Sequence, residues 1–328
     1  MQTEQGKFPP PPGLISCLAS GFDAVATHIL VITLPILLDL FLWLGPHLRI
    51  KQLLQPMISR IPSLLSMGLA PNMPDVATIQ QAWTALADQL NLFSLLHTFP
   101  VGTSSLLSLE MPARTPLGVP LDLQAPSPLS LFGWFIALIV FGWLLGGFYY
   151  QWVSGISLKS QSRSVWQSLK QTVFLSIIWT GFLFVVGIPA LVLFTIITLI
   201  SNLLAEIALF IFALFAIWLA IPIFFSPHGI FTYQQDAFHA ILNSLRMTRF
   251  TLPNTGLFLL AFVLISQGLD FLWRTPPDTS WLTLIGIAGH AFVSTALLAA
   301  SFIYYRDINA WLKVIFEQLK AQATSARV

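Results

Sequence analysis

Residues 172–226 read TVFLSIIWTGFLFVVGIPALVLFTIITLISNLLAEIALFIFALFAIWLAIPIFFS, and Glu206 is the one ionisable side chain among them. As a single helix this stretch would extend about 80 Å, against a hydrocarbon core of about 30 Å. Two crossings joined by a tight turn near Ser201–Glu206 resolve the excess, with Gly187 and Pro189 kinking the first. A run this long and this free of charge has only one solvent in which it is stable, which is lipid.

The rest of the chain agrees. Of its 328 residues, 56% are hydrophobic and 9% charged, where a soluble domain carries about a quarter charged residues. Upstream, residues 129–150 form another apolar run that ends in Tyr149, Tyr150 and Trp152, aromatics favoured at headgroup level. Downstream, residues 255–273 and 281–305 form a fifth and a sixth crossing, separated by the turn Arg274-Thr275-Pro276-Pro277-Asp278. The earliest run, residues 21–45, is the first crossing and holds His28, Pro35 and Asp39. The expectation is an all-α integral membrane bundle of about six transmembrane helices, with interfacial and juxtamembrane amphipathic helices beside them.

Between the crossings the chain is organised as follows. Residues 1–20 are polar and proline-rich and predict a disordered tail. Leu14-Ile15-Ser16-Cys17 is similar to a bacterial lipobox, but polar residues and four consecutive prolines stand where an apolar signal region would be needed. Residues 46–128 contain no window long enough to span. They predict an extracytoplasmic segment with an amphipathic helix over about 50–65, bent or divided at Pro56 and Pro62, and a second helix after Asp75 that carries Ile79, Trp83, Leu86 and Leu90 on one side. Residues 100–128 read as loop. A stripe of Phe238, Ile241, Leu242 and Leu245 predicts a juxtamembrane helix. Another, over Ile308, Trp311, Leu312, Ile315, Phe316 and Leu319, predicts that residues 306–328 rest on the inner membrane surface.

Cytoplasmic loops of membrane proteins are enriched in Lys and Arg. Placing the amino terminus inside puts ten of the fifteen basic residues in the cytoplasm. Four of the other five fall in the long 46–128 segment, where the rule is weakest. A multi-pass protein of the cytoplasmic (inner) membrane with both termini inside is therefore expected.

Two short segments on that side are alike. Gly155-Ile156 precedes Gln167-Ser168-Leu169-Lys170-Gln171-Thr172, and Gly229-Ile230 precedes Asn243-Ser244-Leu245-Arg246-Met247-Thr248. The segments 155–172 and 229–248 would be two copies of a crossing, basic helix, crossing unit in the same orientation. Through Pro227, Ala237, Ala240, Ser244 and Arg249, the region 129–310 resembles the membrane domain attached to some bacterial glycerophosphodiester phosphodiesterases and its stand-alone relatives. That resemblance implies a six-helix membrane fold with no defined activity. The soluble phosphodiesterase domain is missing, so its chemistry does not carry over.

No P-loop, HExxH, GxSxG or metal-spaced Cys/His cluster occurs, so no motif supports an enzyme, a cofactor or a metal. The basic residues form no long run, which sets nucleic acid aside. The expected partners are the lipid bilayer and another membrane protein. What remains is a set of ionisable groups at membrane depth, where charge costs at least ~2.5 kcal/mol. Asp39, Asp270 and His290 all fall in the outer half. They either form a proton or ion relay or a polar substrate path, or else the two carboxylates reach interfacial water and His290 bonds a neighbouring helix. The second reading is preferred, because positions near helix ends reach the interface at little cost. Lys159, Arg163, Lys170, Arg246 and Arg249 are candidates for anionic-lipid contact. Gly142 and Gly146, four apart, and Gly286 and Ser294, which flank His290, are candidates for helix packing. A structural, regulatory or partner-binding membrane component is the leading function, and a small transporter or permease is the alternative.

Overall fold

A computed structural model describes residues 9–66, 76–108, 112, 114–159 and 164–325. Ten α-helices account for most of them: α1 (Leu14–Thr27), α2 (Thr33–Leu44), α3 (Lys51–Ile58), α4 (Ile61–Ser66), α5 (Val76–Gln89), α6 (Pro128–Leu158), α7 (Val165–Ile200), α8 (Asn202–Tyr233), α9 (Ala237–Trp273) and α10 (Thr283–Ser325). Two three-residue strands, β1 (His47–Arg49) and β2 (Asp122–Gln124), pair in parallel, with Leu48 opposite Leu123. Helices α6 to α10 are each long and apolar enough to cross a membrane, and α1 with α2, bent by 94°, passes the same test only when the two are taken together. The molecule is an all-α bundle that fits a multi-pass membrane protein.

The apolar run 172–226 does divide in two, and the turn is a single residue. Ser201 is extended (φ −162°, ψ 127°) and caps α8 by accepting from the amide of Leu204. Capping serves the other helices as well. Ser127 and Ser130 form a reciprocal capping box ahead of α6, whose first residue is Pro128, and Asp236 accepts from the amide of His239 at the start of α9.

The two similar segments have matching local structure. Helices α6 and α8 each end on a left-handed residue, Lys159 (φ 50°) and Gln234 (φ 55°), and each following helix opens on a side-chain cap, Ser164 and Asp236. In each, a buried threonine hydroxyl donates to the carbonyl of a buried serine one turn earlier: Thr172 to Ser168 at 2.9 Å and Thr248 to Ser244 at 2.8 Å.

Helix α10 is the central member. Of its most apolar stretch 67% is buried, against none of the corresponding stretch of α7. Its inward face is built of small residues, among them Ala291, Ala296, Ala299 and Ala300. α1 lies against it so closely that a Cβ on Gly21 would stand 2.5 Å from the Ala300 nitrogen and 2.6 Å from the Ala296 oxygen. Farther along, Phe22 meets Phe292 edge-on, and Trp43 at the end of α2 meets Trp281. The chain from α1 through α2 thus runs antiparallel to α10. Both described ends meet at the same end of the bundle, where the Trp311 indole donates to the Pro9 carbonyl at 2.7 Å.

Three expectations need correction. The first crossing is not one helix over 21–45: α1 starts at Leu14, inside the segment read as a disordered tail, and α1 and α2 meet at 94° through the 3-10 turn Ile29–Ile32. The reason is α10, whose alanine face offers α1 a surface that hydropathy alone does not reveal. The amphipathic tail is not a separate helix, because α10 runs unbroken to Ser325. Its stripe faces protein, with Ile308 and Leu312 buried beside Met247 and with Phe316 against Phe250. α5 stops at Gln89 instead of continuing toward Leu96, and its buried residue is Ala87, while Trp83 is exposed. Asp75, its expected cap, lies outside the described residues. α9 consists of two helical portions that meet at a kink, with non-helical φ and ψ at Thr251 just ahead of Pro253.

Gly21→Val is expected to force α1 off α10 and lower the thermal unfolding temperature in detergent by several degrees. Gly155→Ala, where an added Cβ meets nothing within 4 Å, is expected to leave it unchanged or raise it slightly. Equal behaviour of the two variants would contradict this packing.

Candidate functional site

The polar residues singled out at membrane depth gather around a segment the sequence reading left outside. Residues 97–107 are not helical, yet Val101, Thr103, Leu106 and Leu107 are almost completely buried. They enter the bundle from the end where α6, α10 and the β1–β2 pair begin. Gly146, which lies against Val101 and Gly102, is 18 residues into α6, or about 27 Å along its axis. Ser294, which donates to the Ser104 hydroxyl at 2.8 Å, is about 16 Å into α10. The segment is therefore a loop folded into the bundle, among helices long and apolar enough to cross a membrane, and non-helical backbone there is tolerated only if protein surrounds it.

Asp39 secures the loop. Its fully buried carboxyl group accepts from the Ser105 hydroxyl (2.5 Å), the Leu106 amide (3.0 Å) and the Leu107 amide (3.2 Å). From the other side, Arg274 donates to the Leu106 carbonyl at 3.0 Å. One peptide region is thus held at its amides by a carboxyl group and at its carbonyl by a guanidinium. Nearer the loop's start, the Trp143 indole donates to the Phe99 carbonyl (3.1 Å). The Thr98 hydroxyl donates to the Val101 carbonyl, and the His97 ring donates to the Thr103 carbonyl, each at 2.6 Å. Ahead of the loop, Asn91 accepts from the amides of Leu48 and Phe93, tying β1 to the 3-10 turn Leu92–Leu96.

Asp270 and His290 form a second pair. Nδ1 of His290 lies 2.6 Å from an Asp270 oxygen, with both side chains largely buried, so the ring donates to the carboxylate. Nε2 is buried and has no hydrogen-bond partner among the described residues. Asp39 is within electrostatic reach of His290 but is bonded to the loop. The structure therefore brings the three expected residues into one neighbourhood and divides them between two tasks. Asp270 and Asp39 both have protein partners in place of the interfacial water expected for them.

The glycines also have assignable neighbours. Gly142 and Gly146 give close approach to the buried loop rather than to a second helix, since a Cβ on Gly142 would meet the side chain of Thr98 and the Leu96 carbonyl. Gly286 lies against the Trp273 carbonyl at the end of α9.

The basic residues are scattered. Lys170 sits over the Trp166 ring, 5.7 Å from its centroid. Lys159 lines a cleft of about 500 Å³ between α1, the end of α6 and α10, together with Asp23, His28, Arg306 and Asp307. Arg246 and Arg249 share a different groove. Arg163 lies outside the described residues. Sequence reasoning missed that cleft, whose walls come from three distant segments. It also missed the buried His228, whose Nε2 is 2.7 Å from the Ser301 hydroxyl and whose ring is 4.4 Å from that of Phe302. The string Phe224-Phe225-Ser226-Pro227-His228 places that histidine directly after an apolar run, which was the available signal. Outside the spans, burial beside Arg49 holds His47 below the usual imidazole range, so this buried ring under β1 is neutral at physiological pH.

Asp39→Ala leaves a hydroxyl and two amides unbonded in a buried site, at about 1–3 kcal/mol each. It is expected to lower the unfolding temperature in detergent by at least several degrees, while Asp39→Asn, which keeps one carbonyl acceptor, is expected to lose less. Asp39→Ala with wild-type stability would remove the anchoring role.

Comparison with family models, curated proteins and solved structures finds no match to this chain.

Proposed function

We propose that this multi-pass protein is a structural or partner-binding component of the inner membrane, oriented with both termini in the cytoplasm, and that it engages a transmembrane segment of another protein through the outer halves of α7 and α8. One observation carries the reading. From Leu183 to Ile200 and from Leu203 to Trp218 these helices expose nearly every large apolar residue, Phe184, Leu191, Leu199, Phe210 and Ile217 among them. Their inner halves are anchored, with Leu175 and Trp179 of α7 and Phe225 and Phe231 of α8 in the core. An arm about 27 Å long on each side of Ser201 therefore stands clear of its own bundle.

Lipid chains are as apolar as leucine, so helices in a membrane associate through close packing rather than through hydrophobic exclusion. The arm gains little such packing from the bundle, while α10 is wrapped on most of its length. Ala205, which faces α7, is the one fully buried residue in the outer half of α8. Ala213, Ala216 and Ala220 remain exposed and let another helix approach closely. Orientation is supported by the basic turns and helix ends, Lys159, Lys170, Arg246, Arg249 and Arg306, that accompany both termini at one end of the bundle. The permease alternative relied on Asp39, Asp270 and His290 facing a hydrated path. Asp39 is bonded to the loop and Asp270 to His290, which weighs against that alternative.

A photo-crosslinking side chain at Leu193 or Phe212, activated in native membranes, is expected to yield a protein adduct of one discrete mass. The same probe at Leu264 or Ile285, exposed on α9 and α10, should yield lipid adducts only. Lipid adducts alone at the arm would end this reading, and an adduct of twice the chain's mass would replace a foreign partner by a second copy.

A further inference from the structure

At the root of the arm, α8 and α9 enclose a groove of about 550 Å³ lined by Trp218, Leu245, Arg246, Arg249, Phe250 and Leu252. The two arginines are three residues apart and so share a face of α9. Both are exposed, and neither forms an ion pair among the described residues; Arg249 lies over the Phe250 ring, 5.8 Å from its centroid. No carboxylate lines the groove. It accordingly presents two positive charges beside an apolar wall, and Arg246 also lines an adjoining groove with Lys313, Glu317 and Lys320.

Its depth can be read along α8. Trp218 is 17 residues beyond Ser201, about 25 Å on the helix axis; taking that turn as one edge of a hydrocarbon core of about 30 Å puts Trp218 near the other edge. Trp is favoured at that level. On the facing side, the arginines precede the break in α9 at Thr251, where the helix changes from its surface portion to its spanning portion. Charge therefore sits at headgroup height, and Trp218, Leu245 and Leu252 continue from it toward the lipid-exposed arm.

We propose that this groove binds one acidic glycerophospholipid, with its phosphate between Arg246 and Arg249 and an acyl chain along Trp218 and Leu252. Guanidinium groups are suited to this by their planar, paired donors. A free inorganic anion would satisfy the arginines but leave the apolar wall without a function, and the wall is open to the same bilayer that surrounds the arm. The bound lipid would brace α8 against α9 where the arm leaves the bundle. This site is independent of whether a protein partner occupies the arm.

The test is native mass spectrometry of the full chain released from detergent, titrated with phosphatidylglycerol or phosphatidylcholine of identical acyl chains. The wild type should bind phosphatidylglycerol more tightly than phosphatidylcholine. The double variant Arg246→Gln/Arg249→Gln should lose about 30-fold in phosphatidylglycerol affinity and keep its phosphatidylcholine affinity. Trp218→Ala should weaken both lipids, and Lys170→Gln, which lies over Trp166 instead, should weaken neither. Equal affinity for the two lipids, or an unchanged double variant, would overturn the proposal. Displacement of phosphatidylglycerol by millimolar inorganic phosphate alone would also overturn it, because the site would then be for the free anion.

Discussion

The end of this bundle where α6 and α10 begin depends on satisfying the backbone of residues 97–107 away from water. Eleven non-helical residues carry amides and carbonyls that cannot form an internal ladder, and at membrane depth each one left unbonded costs several kcal/mol. The solution is side-chain chemistry from four directions: Asp39 of α2 on two amides, Arg274 beyond α9 on a carbonyl, Trp143 of α6 on another, and Ser294 of α10 on the Ser104 hydroxyl. Gly142 and Gly146 allow the loop close enough to α6 for those bonds to form. Asp39 is thus a carboxyl group buried where polar groups are expensive because its alternative, three unbonded donors, is also expensive.

The same principle explains the division of the molecule into a packed half and a free half. Close packing requires small side chains on at least one surface, and α10 supplies them as a run of buried alanines. α1, α2, α6 and α9 use that surface, together with the inner halves of α7 and α8. The outer halves of α7 and α8 project Leu, Ile and Phe outward on all sides and have no such seat. The result is a loop-braced core from which one apolar hairpin projects.

How much of this was legible follows from what hydropathy measures. It distinguishes lipid from water, so the runs beginning near residues 129, 172, 202, 255 and 281 and the break at Ser201 could be read directly. It does not distinguish lipid from protein. The stripe of Ile308 and Leu312 was read as membrane-facing although it meets α9 and the amino-terminal segment, and the 94° bend after Thr27 was invisible because both sides of it are apolar. Among the candidate residues, the Asp270–His290 pair is 20 positions apart, and the two were identified separately, as expensive intramembrane groups. The three donors to Asp39 lie 66 to 68 residues away in a stretch of ordinary loop composition, and no local pattern marks them. Gly142 and Gly146 announced a close approach, but the approaching element was a loop and not a helix.

Hydrogen–deuterium exchange of the full chain in lipid nanodiscs tests the central claim most directly. If the loop is seated in the bundle on Asp39, the peptide covering residues 103–107 exchanges as slowly as the middle of α10 and far more slowly than residues 117–121, where Leu117, Val119 and Leu121 are exposed. Exchange of 103–107 at the rate of that exposed loop would contradict a buried segment, and with it the role assigned to Asp39.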